Sequence, residues 1–358
     1  MVFCKIAKLI SGINALFLHQ TLLNLFNFYG LEIVSYITKK NIKYLKLIYI
    51  YIFLLILSGC APKDNVKFDK GVTDDGKLVS NIEYDTYNFA ELEEVYENLD
   101  YDEPMAEFTD ILGKDFRAIR FKYFVVFSNL EDKVTYQLID SDIRNTVDVM
   151  LNNYIETRPD EVTPIFLFKD MQSYKDFSMK EFGIDETDLS PYGFYKISKN
   201  VILIRYVNWK GSTSHETTHA MLQNDFPNIP SWFNEGFAAM HEKAIFNNGR
   251  FIGNFNWRIL ALRRAFNENN YTSLRHLMST NDDEFYGKRT SFYYAQACYM
   301  FMLLQERGLF ETYYKTFRDN YSKDHTGIKQ LEALTGQSIE KLDADVIEYI
   351  QSFKQEFN

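Results

Sequence analysis

The chain has 358 residues, of which 46% are hydrophobic, 16% aromatic and 25% charged, with a formal net charge of −10. That length suffices for a catalytic domain with a substantial core, and an acidic balance without a basic patch argues against a nucleic-acid partner, because neutralising phosphates takes clustered Lys and Arg. Its three cysteines, Cys4, Cys60 and Cys298, are too few for a disulfide scaffold.

The amino-terminal region reads as a leader. Lys39, Lys40, Lys43 and Lys46 precede an uncharged apolar run over 47–59 that ends in Leu57-Ser58-Gly59-Cys60. A run this short falls below the ~20 residues that span a bilayer, so it fits the apolar core of a signal peptide. Leu-Ser-Gly-Cys resembles the bacterial lipobox, which implies that Cys60 is acylated, becomes the first mature residue and anchors the protein to a membrane of the cell envelope, facing the periplasm or the exterior. Residues 1–38 do not fit a leader of about 15–30 residues. This suggests a translation start downstream of Met1, near Leu31 or Val34. Residues 1–59 hold six Lys and one Glu, a net +5, so the whole-chain −10 becomes −15 for residues 60–358. With Cys60 acylated, Cys298 has no partner, and its apolar helical surroundings make it a buried small hydrophobe.

Three segments are expected: the leader (1–59), a lipidated and acidic tether (60–115), and a folded domain (116–358). The tether reading covers Ala61 to about Glu107, with one acidic helix within Phe89 to Leu99. Phe116 to Phe127 is β-rich, and Gln137 to Tyr154 carries Leu138, Ile143, Val147, Met150 and Leu151 on one helix face. Thr163 to Phe168 reads as a strand and Met171 to Phe182 as a helix. Gly193 to Tyr206 divides at Ser198-Lys199-Asn200 into a hairpin, one strand of which is expected to lie along a substrate cleft. Beyond residue 235 the pattern is helical: Asn256 to Phe266, Ser291 to Glu306, Leu309 to Asp319, Ile328 to Leu334 and Ile339 to Phe357.

Between these halves lies His215-Glu216-Thr217-Thr218-His219, followed after the fifteen residues 220–234 by Glu235 in Trp232-Phe233-Asn234-Glu235-Gly236. Residues four apart share a helix face, so both imidazoles can reach one cation about 2.0–2.1 Å away. Glu216 then sits beside the cation as a base for a water. Gly211 to Ser214 supplies capping residues before this helix, and Asn224, Pro227 and Pro230 end it. Ser231 is expected to cap a second helix that carries Glu235 one turn in. Gly236, Ala238 and Ala239 are expected to let the two helices approach.

HExxH followed by P-x-W-x-N-E-G-x-A resembles the gluzincin metallopeptidases, most closely the peptidase MA-like domain, over roughly residues 116–356. The resemblance implies an α+β, zincin-like fold: a mixed twisted sheet with helices, a helical carboxy-terminal subdomain, and an active-site cleft between them. It also implies His215, His219 and Glu235 as Zn2+ ligands, Glu216 as general base, and a Tyr that steadies the oxyanion, Tyr294 in preference to Tyr293. The aspartate found one turn beyond the ligand Glu in thermolysin-like members is replaced by Ala239, so the sequence identifies no partner for the histidines. His241, six residues past Glu235, is turned about 240° around its helix from that ligand. His276 and His325 read as surface residues.

Two functions follow: a membrane-anchored zinc endopeptidase acting on extended or unfolded polypeptide, or a non-catalytic surface lipoprotein that binds protein or polymer in the same cleft. A base beside the metal favours the first.

Overall fold

The computed structural model describes residues 87–208 and 211–353. The leader, the lipid site at Cys60 and the first part of the expected tether lie outside these residues. Folded elements begin at Phe89, well ahead of the boundary expected at 116. Helix α1 (Phe89–Leu92), strand β1 (Glu94–Val95) and helix α2 (Asp102–Leu112) replace both the tether reading up to Glu107 and the single acidic helix within it. Their apolar residues are too sparse to show a period, yet Leu92, Leu99, Tyr101 and Phe108 are all buried. Phe108 meets Phe166 edge-on at 4.9 Å, and the Tyr101 hydroxyl donates to the Lys122 carbonyl.

The β-rich stretch from Phe116 is two strands, β2 (Arg117–Lys122) and β3 (Phe124–Ser128), closed by a turn in which Phe121 pairs with Phe124. Lys122 takes φ 51 there, a position usually given to Gly or Asn, so the turn carries no sequence signal. Helix α3 is longer than expected. It comprises Asp132–Gln137, Leu138–Ile143, Arg144–Val149 and Met150–Tyr154, with the second and fourth segments in π geometry.

Strand β4 (Thr163–Phe168) is buried at every residue, which explains its unbroken apolar run. Helix α4 (Met171–Phe182) follows, capped by Asp170, whose carboxylate accepts from the Ser173 amide at 2.9 Å. The expected hairpin forms as β5 (Gly193–Lys196) and β6 (Val201–Arg205), joined through Asn200 at φ 47. The strands order as β1-β2-β3-β4-β6-β5, a mixed sheet in which β3, β4 and β6 are mutually parallel and β5 runs antiparallel along one edge.

The metal-motif helix α5 (Ser212–Leu222) and helix α6 (Ser231–His241) come next, then a small hairpin of β7 (Ile245–Asn247) and β8 (Arg250–Ile252). The remainder is helical: α7 (Ile259–Asn267), α8 (Leu274–Leu277), α9 (Asp282–Phe285), α10 (Thr290–Glu306), α11 (Phe310–Asn320), α12 (Ile328–Thr335) and α13 (Ile339–Ser352). Five of these correspond to expected helices, although α7 starts three residues after Asn256 and α13 ends at Ser352, the expected end at Phe357 lying outside the described residues. The β7–β8 hairpin, α8 and α9 were not anticipated, because a one-turn helix is too short to show a period. The protein is therefore mixed α+β. No helix among the described residues is long and apolar enough to cross a membrane.

Helix α10 is buried from Ala295 to Leu304 and forms the axis of the second half. Gly236 on α6 faces it: a Cβ on Gly236 would lie 2.5 Å from the Ala297 Cβ and 2.9 Å from the Phe301 ring. The close approach expected between α5 and α6 at Gly236 is thus made to α10 instead.

Candidate metal centre

Helix α5 is buried on every side, Thr213 through Leu222, although seven of those ten residues are polar. Burying polar side chains is costly unless they find partners or serve a ligand. Thr218 donates to the Ser214 carbonyl at 2.7 Å, so its oxygen is left to accept from His241 Nδ1 at 2.9 Å. Burial, with the nearby His215 charge second, lowers the His241 pKa to about 3 and keeps that ring neutral. His241 is thus a packing residue behind the helix, outside the ligand cluster, in keeping with its turn around α6.

Helix α5 is capped within the expected stretch, whereas α6 begins differently from expectation. Gly211 occupies the α5 N-cap at φ 73 with no side-chain cap, and Pro230 rather than Ser231 occupies that of α6. The Ser231 hydroxyl donates instead to Asp282 Oδ1 at 2.6 Å, tying α9 to the start of α6.

His215, His219 and Glu235 converge. Glu235 Oε2 lies 3.2 Å from His215 Nε2 and 3.4 Å from His219 Nε2, and the rings sit 4.8 Å apart at 83°. Tetrahedral bonds of about 2.0–2.1 Å place ligand atoms about 3.3–3.4 Å apart, the spacing of Glu235 Oε2 from each histidine nitrogen, and all three donor atoms lie within 4.8 Å of one another. Two nitrogens and one oxygen suit zinc or a similar transition ion better than calcium or magnesium, which favour oxygen. Glu216 adjoins His215 and lines the same cavity. Burial raises its pKa, while the His215 and His219 charges oppose that shift.

The structure supplies the histidine partners that the sequence did not identify. His219 Nδ1 lies 2.9 Å from Asn234 Oδ1, so the ring donates there and turns Nε2 toward Glu235. His215 Nδ1 lies 3.0 Å from Glu242 Oε1, an ion-pair contact whose angle falls outside hydrogen-bond geometry. Glu242 in turn accepts from Arg258 through both oxygens, with Nε at 2.9 Å from Oε2, and Arg258 is itself buried. Burial disfavours charge on His215, but Glu235 and Glu242 outweigh it and raise its pKa to about 10. Fixing the outer nitrogen of a liganding imidazole sets its tautomer and orientation. Glu242 stands seven residues after Glu235, two helical turns on the same face, so its spacing was a usable signal.

Two phenols reach the cluster. Tyr294 lines the cavity, its ring parallel to His215 at 6.4 Å and under Arg258 at 4.8 Å. Burial, then the Glu235 charge, raises its pKa well above the usual range. Tyr286, which the sequence did not single out, donates to Glu235 Oε1 at 2.7 Å. Tyr293 points elsewhere, to Glu284 at 3.1 Å and His276 at 3.3 Å. His276 and His325 are exposed and stand apart from the ligand set, His276 pairing with Glu284 at 2.6 Å. Cys298 is fully buried, its thiol pushed up to about 12 chiefly by burial.

His215, Glu216, His219, Glu235, Tyr286 and Tyr294 line a cavity of about 530 Å³. Gly193, Phe194 and Tyr195 of the edge strand β5 form one wall, and Trp257, Tyr286 and Tyr294 from the helical half form another. No protein-family model matches the chain and no curated protein matches it, so what this centre can do is argued from its geometry.

Proposed function

We propose that this protein is a zinc-dependent endopeptidase of the gluzincin type with a zincin-like arrangement, its cleft lying between the edge strand β5 and the helical half of the chain. The observation that carries the reading is the buried triangle of His215, His219 and Glu235 with Glu216 beside it in one cavity. A zinc ion held by those three ligands would supply Lewis acidity at the scissile carbonyl.

The chain's own residues do the rest. Glu216 takes the proton of the attacking water and returns it to the leaving nitrogen. Tyr294 donates to the oxygen on which negative charge develops. Strand β5, at the edge of the sheet among the described residues, offers main-chain groups to an extended polypeptide, which favours unfolded or extended substrates over a single sequence. Cys60, outside the described residues, is the proposed lipid anchor to the cell envelope.

The test is metal analysis of the purified protein together with cleavage of unfolded polypeptide. About one zinc per chain is expected, lost in His215→Ala, His219→Ala and Glu235→Ala, since each removes one of three protein ligands. Glu216→Gln should keep the metal and lose hydrolysis. Metal binding without cleavage by the unsubstituted protein would point to the binding-only lipoprotein.

A further inference from the structure

Glu235 presents its two oxygens to different surroundings. Oε2 is 3.2 Å and 3.4 Å from the two histidine Nε2 atoms, whereas Oε1 accepts the Tyr286 hydroxyl at 2.7 Å. A carboxylate with both oxygens free can chelate a cation through two bonds, which raises the coordination number and fills the position a substrate water needs. A neutral phenol is a donor, and a donor on Oε1 opposes its turning toward a cation.

Tyr286 is well placed for that task. It directly follows α9, a one-turn helix capped by Asn281, whose side chain accepts from the Glu284 amide at 2.9 Å. The Ser231–Asp282 hydrogen bond fastens the same helix to the first turn of α6, four residues before Glu235. The Tyr286 ring rests edge-on against the fully buried Phe285 at 5.2 Å. Two clamps, one to each end of the first α6 turn, thus hold α9 over the ligand. Tyr286 is nevertheless 50% exposed, more than a residue kept for packing alone requires.

The geometry points to Tyr286 as a positioning residue that restricts Glu235 to one coordinating oxygen and so keeps a coordination position open. This rests on the metal-centre reading above and adds a role for a residue outside the HExxH and Glu motif.

The test uses cobalt(II) in place of zinc, because its visible absorption reports coordination number. In Tyr286→Phe, cobalt should still bind, but its absorption should weaken toward that of a five-coordinate ion. Affinity for zinc, measured by competition with a chelator, should change about 10–100-fold, the scale seen when an outer partner of a ligand is lost. Ser231→Ala, which loosens α9 and leaves the phenol in place, should move the spectrum the same way by less. Tyr293→Phe, whose hydroxyl serves Glu284 and His276, should leave the spectrum unchanged. Melting of the metal-free forms checks that the fold is intact. An unaltered cobalt spectrum and zinc affinity in a folded Tyr286→Phe would overturn the inference while leaving the metal centre standing. Failure of the unsubstituted protein to bind either ion would overturn both.

Discussion

Gly211 lies so close to Glu242 that a Cβ added to it would stand 1.9 Å from the Glu242 carbonyl oxygen. The first residue before the metal-motif helix is thereby pressed against the residue whose carboxylate faces His215. Gly211 also holds φ 73, where a side chain is strained on its own account. Gly211→Ala should therefore destabilise the fold by about 2–5 kcal/mol from strain and overpacking combined. It should also weaken zinc binding, since relief of the clash moves Glu242. Denaturant melts with and without metal check both parts; a melt within 0.5 kcal/mol of the parent, on the order of an ordinary surface change, would contradict the contact.

The Glu242 and Arg258 pair separates a charge effect from an orienting one. Glu242→Ala strands a buried guanidinium, which should cost about 3–5 kcal/mol. Asn234→Ala removes only an acceptor for His219 and should leave folding nearly unchanged while lowering zinc affinity about 10–100-fold. Chelator competition set beside thermal melts distinguishes these outcomes. Equal losses of stability in both variants would show that Asn234 is structural.

Tyr294→Phe should bind zinc normally and keep KM, while kcat falls by roughly 10²–10³, the scale of losing one oxyanion donor. Tyr293→Phe should do little, because its hydroxyl is committed to Glu284 and His276. Steady-state kinetics on one peptide decides the matter. Full activity in Tyr294→Phe would remove the phenol from the mechanism.

Asp225 fastens the end of α5 to two distant segments. Its Oδ1 accepts from the amides of Glu156 and Thr157 at 2.7 and 2.6 Å, and its Oδ2 from Tyr314 and Arg318, each at 2.7 Å. Burial pushes its pKa up, but these donors outweigh burial and leave it below the usual 3.8. A carboxylate with a lowered folded-state pKa binds its proton more readily when unfolded, so its stabilisation is present above that unfolded value and is lost as pH falls through the folded one. The stability gap between the parent and Asp225→Asn should therefore be full at pH 6 and shrink below about pH 4. A gap that widens on acidification would contradict this sign.

The clustering of His215, His219 and Glu235 was legible because HExxH encodes a helix face and its chemistry together. Strand β4 and helices α4 and α10 to α12 were legible from their apolar patterns. What the sequence hid was set by contacts distant along the chain. Tyr286 follows a one-turn helix with no period and reaches Glu235 across 51 residues. Asn234 earns its role only when α5 and α6 are laid side by side. Gly236 read as a spacer for the wrong neighbour, since the small-residue pattern shows that something packs closely and not what. The α1 to α2 region hid its fold because its few buried residues are held by β2, Phe166 and Lys122 rather than by one another.

The absence of space between Gly236 and Ala297 has a mechanical consequence. Gly236 follows the ligand Glu235, and Ala297 lies three residues beyond Tyr294 on the same side of α10. With 2.5 Å between a would-be Cβ and the Ala297 methyl, any side chain at 236 would push α6 away from α10, so the spacing of Glu235 from Tyr294 depends on this glycine contact. Under the proposed function, adjustment to different polypeptides would then fall to the opposite wall, β5, the edge strand of the sheet among the described residues. Breadth of substrate and constancy of the reacting centre would be divided between two sides of the same cavity.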